Sequence, residues 1–157
     1  MQNDQWLILF LSVGLGLLVG MQRQSANSKT AGIRTFPLIT LTGTFCGLLA
    51  KEFNGWILAV GFVGVAALLV VANILRPKEN SGDMGMTTEI AALLMYTLGA
   101  YLVFGERIIV VVITGVITVL LHFKATLHGW VEKFGKDDLK AIMQFVLISM
   151  IILPVLP

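Results

Sequence analysis

Apolar runs constrain this chain more than any other feature. They occupy residues 6–21, 36–50, 56–75, 90–104, 108–121 and 141–156. A soluble helical bundle shows apolar and polar faces at a 3.6-residue period, and these runs show none. In 108–121 the polar side chains are Thr114 and Thr118, which can bond back to their own helix. Only 56–75 reaches the roughly 20 residues that cross a bilayer core. The other runs are extended by flanking residues such as Phe53, Asn54 and Arg107. In lipid a helix satisfies its own N–H and C=O groups. The expected fold is therefore an all-α, polytopic transmembrane helical bundle, a single domain over residues 1–157.

The composition agrees. Hydrophobic residues make up 57% of the chain and charged residues only 13%, about half the usual charged share of a soluble domain. A net charge of +2 gives no basis for nucleic-acid binding. Cys46 is the sole cysteine, so no intramolecular disulfide can form. The two histidines and Cys46 lack metal-site spacing. The opening "MQNDQWLILF" carries Asp4 and no basic residue, unlike a secretory signal, so the first run reads as a retained span.

The placement of the cations predicts orientation. With alternating spans, Arg23, Lys29, Arg34, Arg76, Lys78, Lys124, Lys133, Lys136 and Lys140 share one side, and only Lys51 and Arg107 take the other. Lys and Arg concentrate in cytoplasmic loops. The chain is therefore expected in a membrane with its N-terminus outside. Trp6, Trp56, Trp130 and Tyr101 fall near span ends, as interfacial aromatics do.

"RPKENSGDMG" reads as a connector, with Thr87 or Thr88 capping the next helix and Glu89 complementing its positive start. Residues 122–134 place Phe123, Leu127, Trp130, Val131 and Phe134 at helical spacing. They form either an interfacial amphipathic helix or an extension of the fifth span. The ending "LPVLP" predicts a piece of a longer protein.

Two groups of residues are candidates for function. Gly16 and Gly20 form GxxxG in the first span, and Gly43 and Gly47 form another in the second. Such small residues let helices approach closely, either inside the bundle or across a homodimer. The second group is Arg23, Arg34, Asn73 and Glu89, with Thr35, Thr87 and Thr88 beside them. All come to a similar depth at the cytoplasmic ends of spans. They form either a polar pocket, with a carboxylate among guanidiniums, or a set of snorkelling anchors and a helix-start acid. Asp4, Glu52 and Glu106 beside Lys51 and Arg107 read as solvated outer charges, and His122 and His128 as interfacial polar groups. No nucleophile–base pair, phosphate loop or catalytic carboxylate pair is evident, so neither an enzyme nor a cofactor is expected.

The stretch "GLLVGMQRQ…AGIRTFPLITLTG" resembles the signature of the MgtC/SapB family of bacterial membrane proteins. Gly16, Gly20, Arg23 and Ala31-Gly32-Ile33-Arg34-Thr35 match it. "GMTTEIAALLMYTLGAYLVFGE" is similar to a second family segment, with Glu89 where many members have a small residue. The branch with an acid there resembles proteins that carry a second membrane domain downstream. Gln22 departs from the pattern, which has Glu before the first arginine. The resemblance implies a role in growth at low magnesium, and for some members binding to other membrane proteins, the proton-driven ATP synthase among them.

The leading expectation is a non-enzymatic membrane module linked to magnesium homeostasis through the cytoplasm-facing pocket. The first alternative is an interaction protein that binds another membrane protein through its glycine faces. The second is a small ion or solute transporter, which the scarcity of ionisable residues in mid-span disfavours.

Overall fold

The computed structural model describes residues 2–25, 32–75 and 86–123, and positions 140, 141, 144–146 and 148. The chain divides into two units, Met1–His122 and Phe123–Pro157. In the second unit Phe123 is a bend and the other described positions are helical. Most of the segments 122–134 and 141–156, with Lys29, Arg76 and Lys78, lie outside the described residues.

The first unit consists of α1 (Gln2–Ser25), α2 (Thr35–Glu52), α3 (Trp56–Ile74), α4 (Met86–Phe104) and α5 (Arg107–His122). Each coincides with one of the first five apolar runs; α1, α2, α4 and α5 extend theirs, and α3 stops one residue short. Among the described residues there is no strand. The fold is an all-α membrane helical bundle. Among the described residues three helices are long and apolar enough to cross a membrane by length and composition: Asp4–Gln24, Trp56–Ile74 and Met86–Phe104. α5 has 16 residues, about 24 Å at 1.5 Å per residue. α2 has 18 and ends on Lys51 and Glu52.

Local chemistry sets the helix ends. Pro37 lies in the first turn of α2, where its missing N–H has no intrahelical role. The N–H groups of Thr35 and Phe36 donate to Gly32 O at 3.1 and 3.3 Å. Residues 53–55 join α2 to α3, with Ile57 N–H donating to Asn54 O at 3.3 Å. Gly105 N–H closes α4 on Tyr101 O at 2.8 Å.

α2 is the centre of the bundle. It packs most extensively on α4 and next on α1, with α3 against α2 and α4, and α5 against α1 and α4. The core includes Val19, Phe36, Met95, Tyr96, Leu102 and Val110. α3 has no buried residue. It is held by Tyr96, whose hydroxyl donates to Leu58 O at 3.0 Å and whose ring meets Phe62 edge-on at 5.9 Å.

The two GxxxG motifs build different seams. A Cβ added to Gly16 would lie 2.5 Å from Pro37 Cα, and one on Gly20 2.9 Å from Ile33 Cα. Those glycines let α1 meet the start of α2. A Cβ on Gly43 would overlap the Tyr96 carbonyl, and one on Gly47 would sit 3.0 Å from Ala100 O. From the other side, a Cβ on Gly99 would overlap the Thr40 carbonyl. α2 and α4 therefore touch backbone to backbone. Without a hydrophobic drive between helices in lipid, this close packing is what associates them.

Candidate functional site

α1 finishes where α2 and α4 begin, and this end of the bundle holds the buried cation. In α1 the buried positions are Ile8, Ser12, Gly16, Val19, Gly20 and Arg23, a single face at helical spacing. Arg23 continues the glycine face into the last turn of α1, so packing of that face carries its side chain inward. It is only 5% exposed. Thr88, 2% exposed, comes from the first turn of α4 on the face of Ala92, Met95 and Gly99. The Arg23 Nη2 donates to Thr88 Oγ1. A cation in the last turn of a helix also complements its negative C-terminal end.

The other expected pocket residues stand differently. Glu89 follows Thr88 and is half-buried, as is Thr35. Arg34 is exposed at the N-cap of α2 and makes no side-chain cap bond. Asn73 is exposed near the end of α3. Among the described residues no hydrogen bond or ion pair joins Arg34, Asn73 or Glu89 to one another. The structure thus brings Arg23 and Thr88 into contact, sets Glu89 next in sequence, and leaves Arg34 and Asn73 on the surface. Gln22 is half-buried, and its Oε1 is buried with no hydrogen-bond partner among the described residues.

A second polar feature lies in the bundle interior. Of its residues the sequence reading named only Thr114, expecting a bond back to its own helix. Thr118 makes such a bond, to Thr114 O at 2.8 Å, and Thr114 does not. Ser12, Thr40, Thr44 and Thr114 are each fully buried. Thr44 Oγ1 lies 2.9 Å from Ser12 Oγ, 3.1 Å from Thr40 O and 3.0 Å from Gly99 O. With one hydroxyl proton it donates to one of these at a time. Thr40 Oγ1 donates to Phe36 O at 2.8 Å. Thr114 Oγ1 is buried with no hydrogen-bond partner among the described residues. The available signal was that Thr40, Gly43, Thr44 and Gly47 repeat at i, i+3, i+4 and i+7, one helix face.

At the opposite end the charges are largely exposed. Arg107 Nη2 meets Asp4 Oδ1 at 3.0 Å, and the Lys51 ammonium lies 5.4 Å from the Phe104 ring centroid. Exposed ion pairs contribute little to stability. Asp4→Asn is expected to leave the thermal midpoint in detergent unchanged, and a clear drop would show that this pair clamps α1 to α5. Among the described residues no three His, Cys, Asp or Glu side chains converge to hold a metal.

A family model described as the MgtC family matches residues 9–130, which take in Arg23, Thr88, Glu89 and both GxxxG motifs. No curated protein and no solved structure matches the chain.

Proposed function

The chain belongs to the MgtC family, a family linked to magnesium homeostasis, and on that premise we propose that it serves that homeostasis as a non-enzymatic module of the bacterial inner membrane. It acts through the cluster of Arg23, Thr88 and Glu89, which faces the cytoplasm. The uneven distribution of Lys and Arg supports that orientation.

The observation that carries this reading is the burial of Arg23. Ionisable groups at membrane depth are expensive to keep and usually mark function. A guanidinium stays charged at any physiological pH and presents a planar fork of donors. Such a centre repels a divalent cation and attracts a carboxylate or phosphate. The link to magnesium therefore runs through an anionic group recognised at this end of the bundle, on a ligand or on another protein, rather than through coordination of the metal by these side chains. A partner protein or a second copy would meet outward faces, because Gly16, Gly20, Gly43 and Gly47 all lie against neighbours within the chain.

The test is growth at limiting magnesium of cells that depend on this protein. Thr88→Val keeps the side-chain shape and removes the hydroxyl, and Glu89→Gln removes the charge. Both are expected to slow growth while the protein still accumulates in the membrane, and Arg34→Ala is expected to grow normally. Normal growth of both Thr88→Val and Glu89→Gln would sink the proposal.

A further inference from the structure

We propose that the groove between the start of α1 and the end of α2 binds one phospholipid with a zwitterionic, amine-bearing headgroup. This groove, of about 400 Å³, lies at the end of the bundle opposite Arg23 and does not depend on the reading of that site. Its volume is in the range of ligand-sized clefts.

The lining is sorted along the helix axes. Leu9 and Phe45 lie deeper, Trp6 and Leu49 nearer the end, and Lys51 and Glu52 form the rim. From Phe45 to Lys51 is about 9 Å along a helix, so the wall turns from apolar to charged over roughly the depth at which a lipid turns from acyl chain to headgroup. Trp6 and Phe45 are 59% and 53% exposed, so the groove opens sideways to the bilayer. A tryptophan at this level is typical of the membrane interface.

The rim charges specify the headgroup. Asp4 and Arg107 already neutralise each other. Lys51 lines the groove and is exposed, and its ammonium makes a cation–π contact with Phe104 but no ion pair among the described residues. Glu52 is exposed and makes no ion pair among the described residues. One cation and one anion on successive residues complement a phosphate and a primary ammonium. An anionic lipid with a glycerol headgroup would satisfy Lys51 and be repelled by Glu52.

Trp6 supplies the probe. The full chain carrying Trp56→Phe and Trp130→Phe is reconstituted in phosphatidylcholine with increasing brominated phosphatidylethanolamine or brominated phosphatidylglycerol, and quenching of Trp6 is read. The amine lipid is expected to associate about threefold more strongly, the scale of one exposed charge pair. Adding Lys51→Gln and Glu52→Gln, which disturb no buried residue, is expected to bring that ratio to about one. Equal association in the parent, a preference that survives both substitutions, or a Trp6 that neither lipid quenches because a second copy covers it would each overturn the proposal. Native mass spectrometry of the unsubstituted chain reads the same site independently. One retained aminophospholipid per protein is expected. None, or a mixture in the proportions of the bilayer, counts against the site.

Discussion

Gly43→Leu is expected to leave no folded bundle, and Gly43→Ala to destabilise it by about 3 kcal/mol or more, the upper range for overpacking a tight core. The cause is geometric. The first carbon added at Gly43 already overlaps the Tyr96 carbonyl. That neighbour is backbone of α4, so no rotamer change relieves the clash and the helices must separate. Separation would also open the Thr44 contact to Gly99 O and leave buried hydroxyls without partners. Gly64→Ala is the control, because nothing lies within 4 Å of an added Cβ there. It is expected to be neutral or stabilising by up to ~1 kcal/mol, since alanine favours a helix over glycine. Thermal unfolding in detergent separates the two cases. Equal midpoints for Gly43→Ala and Gly64→Ala would refute the backbone contact between α2 and α4. The same contact means that loss of a partner in Gly43→Leu or Gly47→Leu would report a broken bundle, not a lost docking surface.

Arg23→Met is expected to abolish support of growth at low magnesium while leaving the bundle as stable as before, within ~1 kcal/mol, or more stable. A methionine of similar length fills the space and carries no charge to desolvate. Replacing buried ionic groups by apolar side chains of similar volume is often neutral or stabilising. Against this stands the hydrogen bond donated to Thr88, and bonds to charged groups contribute about 1.5–3 kcal/mol. The desolvation of the guanidinium, which methionine avoids, offsets that loss. Arg23→Lys keeps the charge and loses the planar fork, so intermediate growth is expected. A stable Arg23→Met protein that still supports growth would show that the arginine is only a membrane anchor. Wild-type growth of Arg23→Lys with failure of Arg23→Met would show that charge alone suffices.

The helices were legible because their cause is local. A run of apolar residues in lipid has one way to satisfy its backbone, and each of the first five runs became one helix. The glycines were legible as packing residues, but their partners were not. GxxxG states that something approaches closely and leaves open what it is. The structure sets Gly16 against Pro37 and Gly43 against Tyr96, inside one chain. The interior hydroxyls escaped notice because Ser12, Thr40 and Thr44 look harmless one at a time. Only the crossing of α1, α2 and α4 stacks them.

By itself the sequence determined that this chain enters a membrane as helices and that Arg23 and Arg34 bracket a polar break between two of them. It did not distinguish those arginines, since each is one cation at the edge of an apolar run. Tertiary structure made the difference. Arg23 lies on the glycine face of α1, and when that face packs on α2 the guanidinium goes in with it and meets Thr88. Arg34 precedes the first turn of α2 and stays outside. The physical reason is that the rotation of a helix about its own axis is fixed by its neighbours and not by its composition.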